Sequence, residues 1–215
     1  MKAKLALLAA GVLLSGSAFG TVTLGISNAA TGMLTNIADF GGSTANGLLW
    51  GVIVDSAGDG FDTSYAPGNV LNTTLSGVLF GGSNDDVLFI DTAVTTTNVP
   101  TAQGGPGAIT QISSLVLNAA IGAGVNAGDA FMVIWFDRPL TAGATTQGGQ
   151  HYGTFTTAGG APAPFVMPPD GANQPFQANF VGADPVRTAN QTFVPEPSSM
   201  LLGLLGALGL IRRRR

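Results

Sequence analysis

From position 21 onward the apolar residues come in short runs of β-branched and aromatic type, each closed by Gly, Asn, Asp, Thr or Pro. This is the punctuation of strands and turns, since Val, Ile, Phe and Trp suit a pleated surface while Gly, Pro, Asn and Asp favour chain reversal. The clearest strands are 48–55 (LLWGVIVD), 87–94 (VLFIDTAV) and 130–137 (AFMVIWFD), with weaker ones at 21–27, 152–157 and 176–181. A helix competes only at 109–120, where Ile109, Ile112, Val116 and Ala119 fall at helical spacing, although the LVL within it suits a strand equally. A parallel sheet needs helical crossovers of a dozen or more residues between its strands, and the middle of the chain offers at most one. The pattern therefore predicts an all-β, mainly antiparallel domain, a single β-sandwich or jelly-roll-like fold.

The prolines interrupt it. Pro162, Pro164, Pro168, Pro169 and Pro175 crowd 158–176, and because proline donates no ladder hydrogen bond the stretch reads as a long loop or extended linker. Residues 183–193 read as a spacer, which places the Gly-rich acidic domain at 21–182.

Both ends have their own chemistry. Residues 1–20 open with Lys2 and Lys4, continue through an apolar run and close on Ser17, Ala18 and Gly20. That is the plan of a helical secretory signal peptide, with cleavage expected between Gly20 and Thr21. Residues 194–215 place Pro195, Glu196 and Pro197 before an apolar, helix-prone stretch and finish on Arg212, Arg213, Arg214 and Arg215. The apolar core of that stretch, 200–211, reaches only ~18 Å at ~1.5 Å per residue, against a hydrocarbon layer of ~30 Å. Taken as a short transmembrane helix over 198–211, it spans marginally, by thinning the bilayer and letting Arg212 snorkel to the headgroups. The arginines form a basic stop that stays in the cytoplasm, leaving the rest of the chain outside.

This tail resembles the PEP-CTERM sorting signal, in which a Pro-Glu-Pro motif, a short membrane segment and a basic terminus are recognised by an exosortase. The resemblance covers 194–215 and depends on the accompanying signal peptide. It implies export by the secretion machinery, anchoring in the membrane, and processing around Pro195–Pro197 by an exosortase-type enzyme. It also implies a setting at the cell surface or in an exopolysaccharide or biofilm matrix. It carries no information about the middle domain.

Removing both ends changes the electrostatics. Eleven of the 12 acids remain, Glu196 being the one lost; of the 8 bases only Arg138 and Arg187 remain, so the net charge of the middle is −9. Two cations cannot neutralise a run of phosphates, which excludes nucleic acid as a partner. With Cys 0, an exported chain has no disulfide framework, and stability must come from the core or from bound ions.

Few residues in the middle are equipped for chemistry. His151 is the sole histidine, and neither GGSTA around Ser43 nor GGSND around Ser83 completes the G-x-S-x-G of a nucleophile elbow. One His and no Cys exclude an ordinary structural zinc site. Gly122, Gly124 and Ala127 fit G-x-G-x-x-A, but a strand-like segment follows where a dinucleotide site needs a helix. Residues 55–62 (DSAGDGFD) resemble the first half of a D-x-[DN]-x-[DN]-G calcium loop, with Asp55 first, Asp59 fifth, Gly60 at the turn and Asp62 as a further ligand. Ala57 stands where the third ligand belongs and no Glu occupies the twelfth position, so the expected affinity is weak. The sequence predicts a non-enzymatic envelope or matrix protein with no cofactor beyond this calcium loop. Two alternatives compete: a carbohydrate-binding module stacking sugars on Trp50, Tyr65, Trp135 and Tyr152, and a secreted hydrolase using His151.

Overall fold

A computed structural model describes residues 21–27, 36–71, 77–96, 107–109, 112–118, 124–138, 141, 143–156, 165–169, 173–175 and 186–194. The signal peptide expected at 1–20, the strand expected at 176–181 and the membrane segment expected at 198–211 lie outside the described residues. Among those described the fold is all-β, with eleven strands and no helix.

In chain order the strands are β1 (Thr21–Ser27), β2 (Ile37–Ala38), β3 (Leu49–Asp55), β4 (Val78–Leu79), β5 (Asp86–Thr95), β6 (Ile112–Asn118), β7 (Phe131–Phe136), β8 (His151–Phe155), β9 (Asn173–Pro175), β10 (Arg187–Thr188) and β11 (Gln191–Thr192). Six of them form one antiparallel sheet in the order β11-β8-β7-β3-β5-β4. A second sheet has the order β6-β1-β9, with β1 antiparallel to β6 and parallel to β9. A short parallel pair joins β10 to β2. The segment that admitted either helix or strand is thus a strand at Ile112–Asn118, paired along β1.

The three central strands are apolar on both faces, as expected of a sheet covered on both sides. Side chains alternate: Trp50, Val52, Val54, Val87, Phe89, Phe131, Val133 and Trp135 enter one cluster, while Leu49, Ile53, Leu88, Ile90, Met132, Ile134 and Phe136 enter another. The first cluster includes Val22, Leu24 and Leu117 of the three-stranded sheet together with Ile37, Phe165 and Met167. The second takes Tyr65, Leu71 and Phe80 from loops, with Tyr152 of β8 and Phe193. Gly153 is the register partner of Trp135, whose indole lies where a β-carbon at Gly153 would stand. The ring can lie flat across β8 because the facing residue has no side chain, and its Nε1–H then donates to the Ala38 carbonyl at 2.9 Å.

Two sequence boundaries need correction. The proline-rich stretch includes a docked segment: Phe165 and Met167 are buried, and backbone bonds join Phe131 to Phe165 and Gly128 to Met167. Pro175 is the last residue of β9, an edge strand of its sheet, the kind of strand position in which proline is tolerated. The expected spacer at 183–193 supplies β10 and β11, and both Ala189 and Phe193 are 0% exposed. The fold therefore reaches Phe193, and Val194 is the first exposed residue after it. Two-residue strands have no periodicity to read, which is why the composition of this segment suggested a linker.

Candidate functional site

The acidic end of the six-stranded sheet is built from two loops. β3 ends at Asp55 and β5 begins at Asp86, and the two residues face each other in the antiparallel register. After Asp55 the chain turns through Gly58 and Gly60, both at positive φ (76° and 104°), a conformation open to glycine at little steric cost. That turn aims two N–H groups back at the strand end: Gly58 donates to Asp55 Oδ1 at 2.6 Å and Gly60 to Asp55 Oδ2 at 2.9 Å. The second loop is organised by Ser83, whose hydroxyl donates to Asp85 Oδ1 at 3.2 Å and accepts the Asp86 N–H at 3.0 Å. Ser56 ties the loops together by donating its hydroxyl to the Asp85 carbonyl at 2.7 Å.

One carboxylate oxygen from each of Asp55, Asp85 and Asp86 lies within 4.8 Å of the other two. Asp55 and Asp86 are buried, at 3% and 0% exposure. Asp86 Oδ2 accepts the Asp62 N–H at 2.9 Å and the Tyr65 hydroxyl at 2.8 Å. Asp86 Oδ1 and Asp85 Oδ2 are buried with no hydrogen-bond partner. Burial pushes the Asp86 carboxyl up from its ordinary range, against the donors from Asp62 and Tyr65, and the Asp62 and Asp55 carboxylates add to the rise. Asp85 is likewise raised, first by burial and then by Asp59 and Asp86, with the Ser83 hydroxyl opposing. Burial, with the Asp86 carboxylate next, raises the Tyr65 phenol far enough that it stays a neutral donor.

The expected calcium ligands are thus partly regrouped. Asp55 is at the centre of the cluster, Asp59 is exposed and acts on Asp85, and Asp62 reaches Asp86 through its backbone N–H. Asp85 and Asp86, about thirty positions further along the chain, complete the group instead. Only the β3–β5 register shows that they meet Asp55, and no local motif carries that information.

The four aromatics of the sugar-platform alternative are all core residues. Trp50, Tyr65, Trp135 and Tyr152 are at most 2% exposed, so none presents a face to a ligand. His151, the centre of the hydrolase alternative, stacks on Phe40 with ring centroids 3.7 Å apart, and its Nδ1 is 2.9 Å from the Thr192 hydroxyl. The nearby Asp137 carboxyl is raised by burial and lowered in turn by His151 and Arg138. Ser83, committed to Asp85 and Asp86, is not available to His151 as a nucleophile.

At the C-terminal end of the described residues the core closes on Phe193. Phe193 is held by backbone bonds to Gln150 and Gly149, and its ring packs against Tyr152 at 4.5 Å, Phe80 at 5.8 Å and Phe136 at 6.2 Å between centroids. A family model for the PEP-CTERM protein-sorting motif matches residues 193–215. The chain carries a PEP-CTERM sorting tail. Such a tail implies export, membrane anchoring before processing, and recognition by exosortase, a membrane enzyme. Pro195, Glu196 and Pro197 fall inside the matched segment, as do Arg212, Arg213, Arg214 and Arg215. The PEP-CTERM match starts on a core residue, so a single residue, Val194, separates the last buried side chain among the described residues from the first proline of the motif. Neither a curated protein nor a solved structure matches the chain.

Proposed function

We propose that this chain is a non-enzymatic structural protein of the cell envelope or extracellular matrix, exported through residues 1–20 and sorted by its PEP-CTERM tail. The observation that carries the reading is the family match at 193–215, on a tail whose Pro-Glu-Pro motif, apolar stretch and arginine run occur in order. In this reading the signal peptide is cut between Gly20 and Thr21, the segment 198–211 holds the chain in the membrane as a short helix, and the four arginines stay inside. The delivered unit is a β-sandwich in which the three-stranded sheet closes one face of the six-stranded sheet. The core cluster shared by Val22, Leu24 and Leu117 with Trp50 and Trp135 supports this arrangement. The net charge of −9 favours a soluble, hydrated surface suited to a polysaccharide matrix.

Fractionation of a host that expresses exosortase tests the proposal. The parent should leave the inner membrane, whereas replacing Pro195, Glu196 and Pro197 by Ala should trap it there. Replacing the four arginines by Ser should weaken retention and orientation, because the short apolar run then has no cationic stop. Identical distribution of the parent and the motif variant would overturn the reading.

A further inference from the structure

Asp55 and Asp86 face each other across neighbouring antiparallel strands, a placement in which like charges weaken pairing. Both are buried, Asp85 adds a third carboxylate within 4.8 Å, and Asp59 brings another acceptor onto Asp85. Acceptors cannot satisfy acceptors. The donors present are the N–H groups of Gly58, Gly60 and Asp62 and the hydroxyls of Tyr65 and Ser83, and they still leave Asp86 Oδ1 and Asp85 Oδ2 buried and unpartnered. Buried polar atoms are nearly always paired, and a buried carboxylate without a donor is among the costlier exceptions. The chain's two arginines outside its ends are engaged elsewhere: Arg138 acts on Asp137, and Arg187 lies over the Phe155 ring at 5.1 Å.

We propose that Asp55, Asp85 and Asp86 bind a calcium ion that joins the loop after β3 to the turn before β5, with Asp86 Oδ1 and Asp85 Oδ2 as ligands. A hard divalent cation is the class that the donors select, because the cluster offers carboxylates with no imidazole or thiolate. Calcium accepts irregular sets of six to eight oxygens, completed by carbonyls and water, whereas magnesium demands a near-ideal octahedron and keeps its waters. The turn at Gly58 and Gly60 fixes Asp55 through two N–H bonds, and Ser83 fixes Asp85, so the carboxylates are oriented before the ion arrives. Their three charges are reduced to one by the ion. A chain exported without disulfides gains its bound ion where calcium is plentiful, so affinity in the range of ~10⁻⁴ to 10⁻³ M is sufficient.

Titration of the full chain in detergent with calcium chloride, read by calorimetry and by thermal melting, tests the site. One ion should bind per chain, and calcium at ten times its dissociation constant should raise the melting temperature by about 3 to 6 °C. Magnesium at the same concentration should give less than half that shift. Asp85→Asn should weaken calcium binding by at least ~10-fold, and Asp86→Asn should do the same. Should Asp86→Asn fail to fold, Asp85→Asn on the more accessible turn decides the matter, with Asp39→Asn, outside the cluster, as the control that keeps parental affinity. An absence of calcium heat and of any melting shift at 10 mM calcium would overturn the site, as would parental affinity in Asp85→Asn.

Discussion

Phe193→Ala probes the junction between fold and tail. The side chain is 0% exposed and touches three aromatic rings, while its backbone N–H and carbonyl are both bonded to the 149–150 turn. Truncating a fully buried Phe to Ala removes its transfer free energy and leaves a cavity, together about 3–5 kcal/mol. For a domain of roughly 150 to 250 residues each kcal/mol moves the melting temperature by about 2–4 °C, so a drop of roughly 6–20 °C is expected. Val194→Ala, one residue on and 57% exposed, should change stability by less than about 0.5 kcal/mol. Thermal and urea unfolding of residues 21–194, followed by the emission of the buried Trp50 and Trp135, would measure both. Phe193→Ala within 0.5 kcal/mol of the parent would refute the docking of 186–194 and restore a free spacer before the sorting motif.

Further outcomes follow from the same structure. Gly153→Ala should cost about 1–3 kcal/mol, because the added carbon meets the Trp135 indole and forces either the ring or β8 to shift; an unchanged urea midpoint would contradict that packing. With calcium chelated, the stability contributed by the buried aspartates should be greatest at acid pH near the ordinary carboxylate value of about 3.9 and should fall as the pH rises toward neutrality. Asp85, Asp86, Asp129 and Asp137 all have carboxyls raised in the fold, chiefly by burial. Above the ordinary carboxylate value of about 3.9 the unfolded chain gives up these protons first, so stability falls as the pH rises through the folded values. A melting temperature in chelator that increases steadily from about pH 4 to pH 7 would contradict this assignment.

The central strands were legible because runs such as LLWGVIVD and AFMVIWFD are apolar at successive positions, and they form β3 and β7, buried along their whole length. What escaped the sequence was short or distant. β2, β4, β10 and β11 are each two residues long, too brief for any period to register. Phe165 and Met167 dock from among prolines that signal a linker, since tertiary burial can hold an extended segment without a continuous ladder. At the acidic site the local D-x-x-x-D-G pattern singles out Asp55, which the fold groups with Asp85 and Asp86. Its partners come from thirty positions further on, brought alongside by strand pairing, so a motif confined to one loop pointed to Asp59 and Asp62 instead. The sorting motif of the tail was recognisable because it is carried by the linear order of Pro-Glu-Pro, apolar stretch and arginine run, with no dependence on strand pairing.

The measurement closest to the central claim is the intact mass of the protein recovered from a host that has a matching exosortase. The account predicts a chain that begins at Thr21, after removal of 1–20, and that lacks the residues beyond about Pro197, with no arginine run. Recovery of a chain from that host with Arg215 still in place would contradict it.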